Sequence, residues 1–197
     1  MVRERADGAR EGVMLRWGLI PSWADSPAVG GRHFNARSET VAAKPTFREA
    51  FIRRRCLVPV SGFYEWRTQG VGKQPYYITR ADGELFVLAG LWARWDGGDG
   101  GGIRGSVETF TILTTTPNAL MRPLHDRMPV ILGRDDYAAW VGCEPLSAGV
   151  AERLFEPRDD PGLEAFPVGK MVSNSRSDGE ELTARVDPRD PREGMLF

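Results

Sequence analysis

A series of short strand-like segments, joined by connections too brief to hold a helix, restricts the fold more than any other feature. Between residues 56 and 115 the chain reads CLVPV (56–60), FYEW (63–66), PYYITR (75–80), LFVLAGLW (85–92) and VETFTILTT (107–115). Each run is rich in β-branched and aromatic residues. Parallel neighbours need a crossover of a dozen or more residues, so segments this close pair antiparallel. Ser61-Gly62 separates the first two, and Ala81-Asp82-Gly83 predicts a hairpin turn between PYYITR and LFVLAGLW. WDGGDGGGIRG (95–105) reads as a flexible loop. VMLRWGLI (13–20), MPVIL (128–132) and FPVGKMVS (166–173) add extended pieces. Helices are few and short: TFREAFIRR (46–54) opened by a Thr46 cap, one turn from Pro117 to Arg122, DDYAAWVG (135–142), and LSAGVAERLF (146–155) capped by Ser147. The expected fold is α+β, with a mainly antiparallel, barrel-like sheet core and short flanking helices. Residues 1–175 are expected to form a single domain, and 176–197 a polar tail ordered by docking.

Composition narrows the function classes. The chain has 197 residues, enough to bury a core. No apolar run is long enough to span a bilayer, and the charged start MVRERADGAR lacks the apolar stretch of a secretory signal. A cytoplasmic protein without membrane contact is expected. With two cysteines, Cys56 and Cys143, and two histidines, His33 and His125, neither a disulfide framework nor a structural metal site is expected. No cofactor is expected either: there is no phosphate-binding P-loop, and the glycine run at 97–105, although it spells G-x-G-x-x-G at 100–105, lacks the strand-to-helix frame of a phosphate cradle. The G-x-S-x-G elbow of serine hydrolases is also missing. Net charge is −1, but unevenly spread. Residues 32–80 hold 10 Lys and Arg against 3 Asp and Glu, and residues 134–197 hold 8 against 14. A basic middle with an acidic tail fits a polyanion partner. A solvated face with a solubilising tail fits it as well.

Several residues carry candidate chemistry. Glu65 lies among aromatics in SGFYEW. Pointing inward, it would be a carboxylate in an apolar pocket with a raised pKa, suited to general acid–base work; alternation also allows it to face water opposite Tyr64 and Trp66. His125, in the loop PLHDRMP, suits proton transfer near neutral pH or a structural loop role. Its neighbour Asp126 is too close in sequence to face it well. Asn35 and Arg37, in FNARSET, offer a paired donor and acceptor and a bidentate phosphate ligand, or else a helix cap at Asn35 or Ser38. Trp17, Trp23, Phe34, Phe63, Tyr64 and Trp66 crowd the half that also holds Arg32, Arg37 and Arg53 to Arg55. Aromatic faces among arginines suit single-stranded nucleic acid, although most aromatics in any domain are core. Cys56 begins an apolar strand and reads as buried and inert, while Cys143 follows a helix.

The blocks WGLIPSWA (17–24), FNARSET (34–40), CLVPVSGFYEW (56–66), KQPYYI (73–78), LAGLW (88–92), FTILTT (110–115) and PLHDRMPVIL (123–132) occur in this order. Together they resemble the SOS-response-associated peptidase (SRAP) family of abasic-site processing proteins. The resemblance implies a monomer that binds single-stranded DNA holding an abasic site. It implies that the α-amine of an N-terminal cysteine, bared by self-removal of the initiator Met, attacks the opened sugar aldehyde. The thiol then closes a thiazolidine crosslink. Carried over, Asn35 would position the nucleophile and the sugar, Glu65 would be the general acid/base, and His125 would move protons at the sugar. Arg37 would hold phosphate, Trp23 would stack or wedge beside the lesion, and Thr114 would contact the DNA backbone. Family sequences open Met-Cys-Gly-Arg, whereas this chain opens Met1-Val2 and soon reaches Trp17. The expectation is therefore that the natural start lies upstream. Non-covalent binding of single-stranded DNA, and hydrolysis of another substrate by Glu65 and His125, stand as alternatives.

Overall fold

The apolar runs become strands, but their partners are not always the ones their short connections suggest. The computed structural model describes residues 1–70, 72–97, 105–142 and 144–188. The strands are β1 (Val2–Glu4), β2 (Arg10–Gly12), β3 (Arg16–Trp17), β4 (Asn35–Arg37), β5 (Arg55–Val60), β6 (Gly62–Gln69), β7 (Gly72–Arg80), β8 (Phe86–Trp95), β9 (Val107–Thr115), β10 (Met128–Pro129), β11 (Ile131–Leu132) and β12 (Leu163–Pro167). The helices are α1 (Pro45–Arg53), α2 (Tyr137–Val141) and α3 (Ala148–Phe155). The architecture is α+β and mainly antiparallel. The chain divides into two compact units: Met1–Pro59, Val87–Thr116 and Pro129–Pro157 form the first, and Val60–Phe86, Pro117–Met128 and Arg158–Phe197 the second.

The first unit is built on a sheet that, among the described residues, runs β10-β9-β8-β5-β1-β2, with β3 and β4 also on β9 and β11 on β8. It is not closed into the expected barrel. Strands β8 and β9 pair antiparallel from Trp95 opposite Val107 to Gly90 opposite Ile112. Beyond that point Val130 stands between them, accepting from the Ala89 N–H and donating to the Leu113 carbonyl, both at 2.9 Å. On its other edge β9 takes β3 and β4 in parallel, Trp17 opposite Phe110 and Asn35 opposite Ile112. The long chain separating these strands from β9 makes parallel pairing possible.

Of the expected strand at 13–20 only β3 is regular. Gly18 explains the break. Its φ is +106°, and a Cβ there would stand 2.5 Å from the Gly30 carbonyl oxygen, so two backbone segments meet where a side chain has no room. Gly18→Ala is expected to cost about 2–4 kcal/mol of stability, read as a lower urea midpoint. An unchanged midpoint would contradict the close packing.

Helix α1 starts at Pro45 and not at a Thr46 cap; Lys44 holds the cap position without a side-chain bond. Proline suits a first helical position because the N–H it lacks would have no helical partner. The helix buries Phe47 and Ala50, one turn apart, against a core that includes Leu19, Val41, Leu91, Leu113 and Trp140. The cap at Ser147 is present, accepting from the Val150 N–H at 3.4 Å.

Arg55 opens β5 and is 2% exposed. Its Nε donates to the Trp140 carbonyl at 2.6 Å, and Nη1 donates to those of Phe51 and Ile52, each at 2.8 Å. Nη2 reaches the carbonyls of Gly142 and Glu144. One guanidinium thus satisfies carbonyls at the C-terminal ends of α1 and α2, where helices run out of internal donors.

In the second unit β6 and β7 form a hairpin, with Tyr64 opposite Tyr77 and Glu65 opposite Tyr76. Strand β12 lies on the far side of β7. The hairpin expected between PYYITR and LFVLAGLW does not form, because β7 and β8 belong to different sheets. The helical turn expected at 117–122 is a set of turns, with the Asn118 side chain accepting from the Met121 N–H at 3.0 Å. Tyr77, Phe166 and Val168 form the core here, with Tyr64 packed against them. Beyond residue 175, Arg185 lies 4.2 Å from the Phe166 ring centroid and bonds Glu164 at 2.9 Å.

Candidate functional site

The hairpin brings Glu65 to the loop that carries His125, both within the second unit. Strand alternation puts Phe63 and Glu65 on one face of β6 and Tyr64 and Trp66 on the other. Tyr64 packs against Tyr77 with ring centroids 5.1 Å apart and planes tilted by 44°, while Phe63 meets Phe86 at 6.2 Å. Glu65 is therefore opposite Tyr64 and Trp66, as alternation allows, yet it is not on a wet face. Its side chain is 22% exposed, and Oε1 lies 3.9 Å from His125 Nδ1.

The tight loop after His125 sets the ring. The Arg127 backbone N–H stands 3.0 Å from His125 Nδ1, placed to donate to it. The Arg127 carbonyl at 3.2 Å and Asp126 Oδ1 at 3.2 Å surround the same Nδ1. A protonated ring has those acceptors and Glu65 to receive its Nδ1 proton. Asp126 does reach the imidazole despite being its sequence neighbour, but its carboxylate is largely exposed. The site thus offers a half-buried carboxyl beside an imidazole whose Nδ1 is within reach of both a donor and acceptors.

Burial raises the Glu65 pKa above the usual carboxylate range, and Asp126 pushes the same way. A charged His125, a hydrogen bond from the Trp66 backbone and Lys73 oppose the rise. Removing the imidazole removes a charge that favours the carboxylate. In His125→Ala the Glu65 carboxyl is expected to titrate at a higher pH still, read by carbon-13 NMR. A midpoint that stays or falls would mean that the two groups are not electrostatically linked.

The other candidates lie in the first unit. Asn35 and Arg37 point the same way from β4 and are exposed, while Ala36 between them is buried. Asn35 is a strand residue and caps no helix. Thr114 stands opposite Arg37 in the β4–β9 register, and its carbonyl accepts from the Ser38 N–H at 2.9 Å. Trp23 is 62% exposed, on the loop between β3 and β4. Trp17 and Phe34 are 49% and 42% exposed and meet edge to face at 5.4 Å. The Trp17 Nε1–H donates to the Phe34 carbonyl at 2.9 Å, so this aromatic pair is held rigidly. Cys56 is fully buried and its thiol is pushed up to about 12 by burial, which makes it inert. Cys143 and most of the glycine-rich loop lie outside the described residues. Among the described residues no group of three or more His, Cys, Asp or Glu is arranged to hold a metal, and no helix is long and apolar enough to cross a membrane.

The family model described as SOS response associated peptidase (SRAP) matches residues 1–175. The abasic site processing protein YoqW of Bacillus subtilis is 38% identical over 169 residues, covering 85% of this chain and 74% of YoqW. The chain belongs to the SRAP family. A more distant SRAP relative, the abasic site processing protein HMCES of Xenopus tropicalis, is 31% identical, with 87% of this chain aligned to 56% of that protein. A crystal structure of a protein from Bacteroides thetaiotaomicron superposes with a TM-score of 0.78 at 34% identity, covering 87% of this chain and 75% of that one. Against this SRAP background, sequence reading missed Tyr76, which faces Glu65 across the hairpin. The strand alternation of KQPYYI carried the signal, but the register that aligns Tyr76 with Glu65 was not visible in it.

Proposed function

We propose that this protein processes abasic sites in single-stranded DNA, acting as a monomer, with Glu65 and His125 moving protons at the opened sugar. The observation that carries the reading is the pair itself: a half-buried carboxyl of raised pKa beside an imidazole, in a chain related to abasic site processing proteins. Asn35 and Arg37 bind and orient the sugar and a phosphate, Thr114 contacts the DNA backbone, and Trp23 stacks beside the lesion.

The nucleophile in this reading is an N-terminal cysteine, as the family resemblance implies. An α-amine titrates near pH 8, so a useful fraction is neutral at pH 7. Glu65 takes a proton from the ammonium form, and the nitrogen adds to the sugar aldehyde. Glu65 returns that proton to the departing hydroxyl, water leaves, the nitrogen gives its remaining proton to Glu65, and an imine remains. The thiol sulfur adds to the imine carbon while its proton passes to nitrogen, closing the thiazolidine. His125 donates a proton to the ring oxygen when the sugar opens and recovers one as the aldehyde forms. The same carboxyl activates water to release the initiator Met.

The test uses the protein recovered from its own organism, with whatever residue it naturally begins, because Met1 and Val2 stand first here. It is mixed with an abasic single-stranded oligonucleotide and run on a denaturing gel. A shifted band on abasic DNA, missing with a tetrahydrofuran analogue that has no aldehyde, is the expected result. A second reading keeps the DNA and omits the covalent step, since the described cysteine, Cys56, is buried and internal and so has no free α-amine to offer the aldehyde. It predicts binding that weakens linearly in log K with log salt, and no band that survives denaturation.

A further inference from the structure

A groove of about 700 Å³ opens on the first unit, where the turn after β4 meets α1, the end of β9 and α3. Its walls are apolar, formed chiefly by Val41, Phe51, Leu146 and Phe155. Three carboxylates, Glu39, Glu152 and Glu156, also line it, and no lysine or arginine is among its lining residues. It uses none of the residues assigned to the abasic-site chemistry.

The two glutamates on α3 are placed against the helix's own interest. Glu152 is in its last turn and Glu156 is its C-cap, four residues on. Like charges at that spacing repel, and the C-terminal end of a helix carries partial negative charge. The basic residue of that turn, Arg153, is drawn to Asp136 at 2.6 Å, and among the described residues no cation pairs with either glutamate. A cation seated in the groove relieves both repulsions. The apolar walls require that the cation arrive with hydrocarbon. A nucleic acid fails the first of these demands, because it brings phosphate, which the carboxylates repel.

We propose that this groove is a docking site for a short basic, apolar peptide segment of a partner protein, with two or three large apolar side chains between Lys or Arg residues. The apolar side chains fill the space over Val41, Phe51, Leu146 and Phe155, and the cations pair with Glu152, Glu156 and the α3 carbonyl end. The volume is that of a pocket able to enclose a few side chains. Ser38 and Thr115, which line the groove, directly follow Arg37 and Thr114. A seated peptide therefore lies against the last residue of β9 and the turn that follows β4, next to the positions that present those residues.

Short random peptides displayed on phage are panned against the full chain, with the Ala151→Trp variant, which fills the groove, as the counter-selection. The expected result is a family of peptides combining large apolar residues with at least two Lys or Arg. Synthesised with a fluorescent label, they should bind the wild type by anisotropy. Binding should weaken at least about tenfold to the Glu152→Lys/Glu156→Lys variant, whose surface changes leave the fold intact, with a thermal transition matching the wild type. Selection of acidic peptides, or of none that discriminates Ala151→Trp, would overturn the proposal. So would equal binding to the charge-reversed variant, displacement of the peptide by abasic DNA, or a wild-type dimer in sedimentation that Ala151→Trp dissolves, which would make a second copy the occupant.

Discussion

Glu65→Gln is expected to slow adduct formation on abasic single-stranded DNA by about a hundred- to a thousandfold, the usual worth of a positioned general acid–base group. Gln keeps the shape and part of the hydrogen bonding but cannot exchange a proton. Affinity for the oligonucleotide should therefore change by less than about threefold, since the proposed reading gives the phosphate contact to Arg37 and not to Glu65. Single-turnover gels measure the rate, and anisotropy measures the binding. Wild-type-like rates in Glu65→Gln would remove the carboxyl from the chemistry. A matched loss of binding would recast Glu65 as a residue that shapes the DNA contact.

Arg55→Met is expected to cost about 3–5 kcal/mol of folding stability, more than an ordinary core substitution. Met fills much of the volume but leaves the carbonyls of Phe51, Ile52, Trp140, Gly142 and Glu144 without their donor. Arg55→Lys should recover only part of the loss, because an ammonium has three donors at one point and lacks the reach of the planar fork. Urea unfolding followed by tryptophan fluorescence reads both variants. A midpoint for Arg55→Lys equal to wild type would show that charge alone suffices there.

How much of this could be read from the chain depended on whether the cause was local. The runs at 56–60, 63–66, 75–80, 85–92 and 107–115 became β5 to β9 because composition and alternation are local signals. The partner of each strand is not local. Ala81-Asp82-Gly83 has the composition of a hairpin turn, but β7 is already paired on both edges by β6 and β12. Parallel placement of β3 and β4 on β9 depends on contacts across most of the chain. The hairpin of β1 and β2, with Arg3 bonded to Glu11 and Glu108, was likewise invisible in a charged start that has no apolar alternation. Arg55 read as one member of a basic cluster, since nothing nearby shows that two helices end above it. At the candidate site, the residue types of Glu65 and His125 were legible, while their approach depended on a strand register and a loop. Asn35 and Arg37 were equally consistent with a helix cap until β9 claimed them as a strand.

The stretch from Trp17 to Asn35 begins and ends on the same strand, at Phe110 and Ile112, two positions apart. It is a cassette clipped at both ends, cinched inside by Gly18 against Gly30 and displaying Trp23. Lengthening such a loop adds only a logarithmic entropy cost, about 0.6 kcal/mol per doubling. Its exposed positions, such as Ser22, Trp23 and Asp25, can therefore change while the buried Leu19, Ile20 and Ala24 and the Gly18–Gly30 contact hold its course. If Trp23 stacks beside the lesion as proposed, this exposed tip is where tolerance for different DNA ends, junctions or flanking bases can be retuned without refolding the protein.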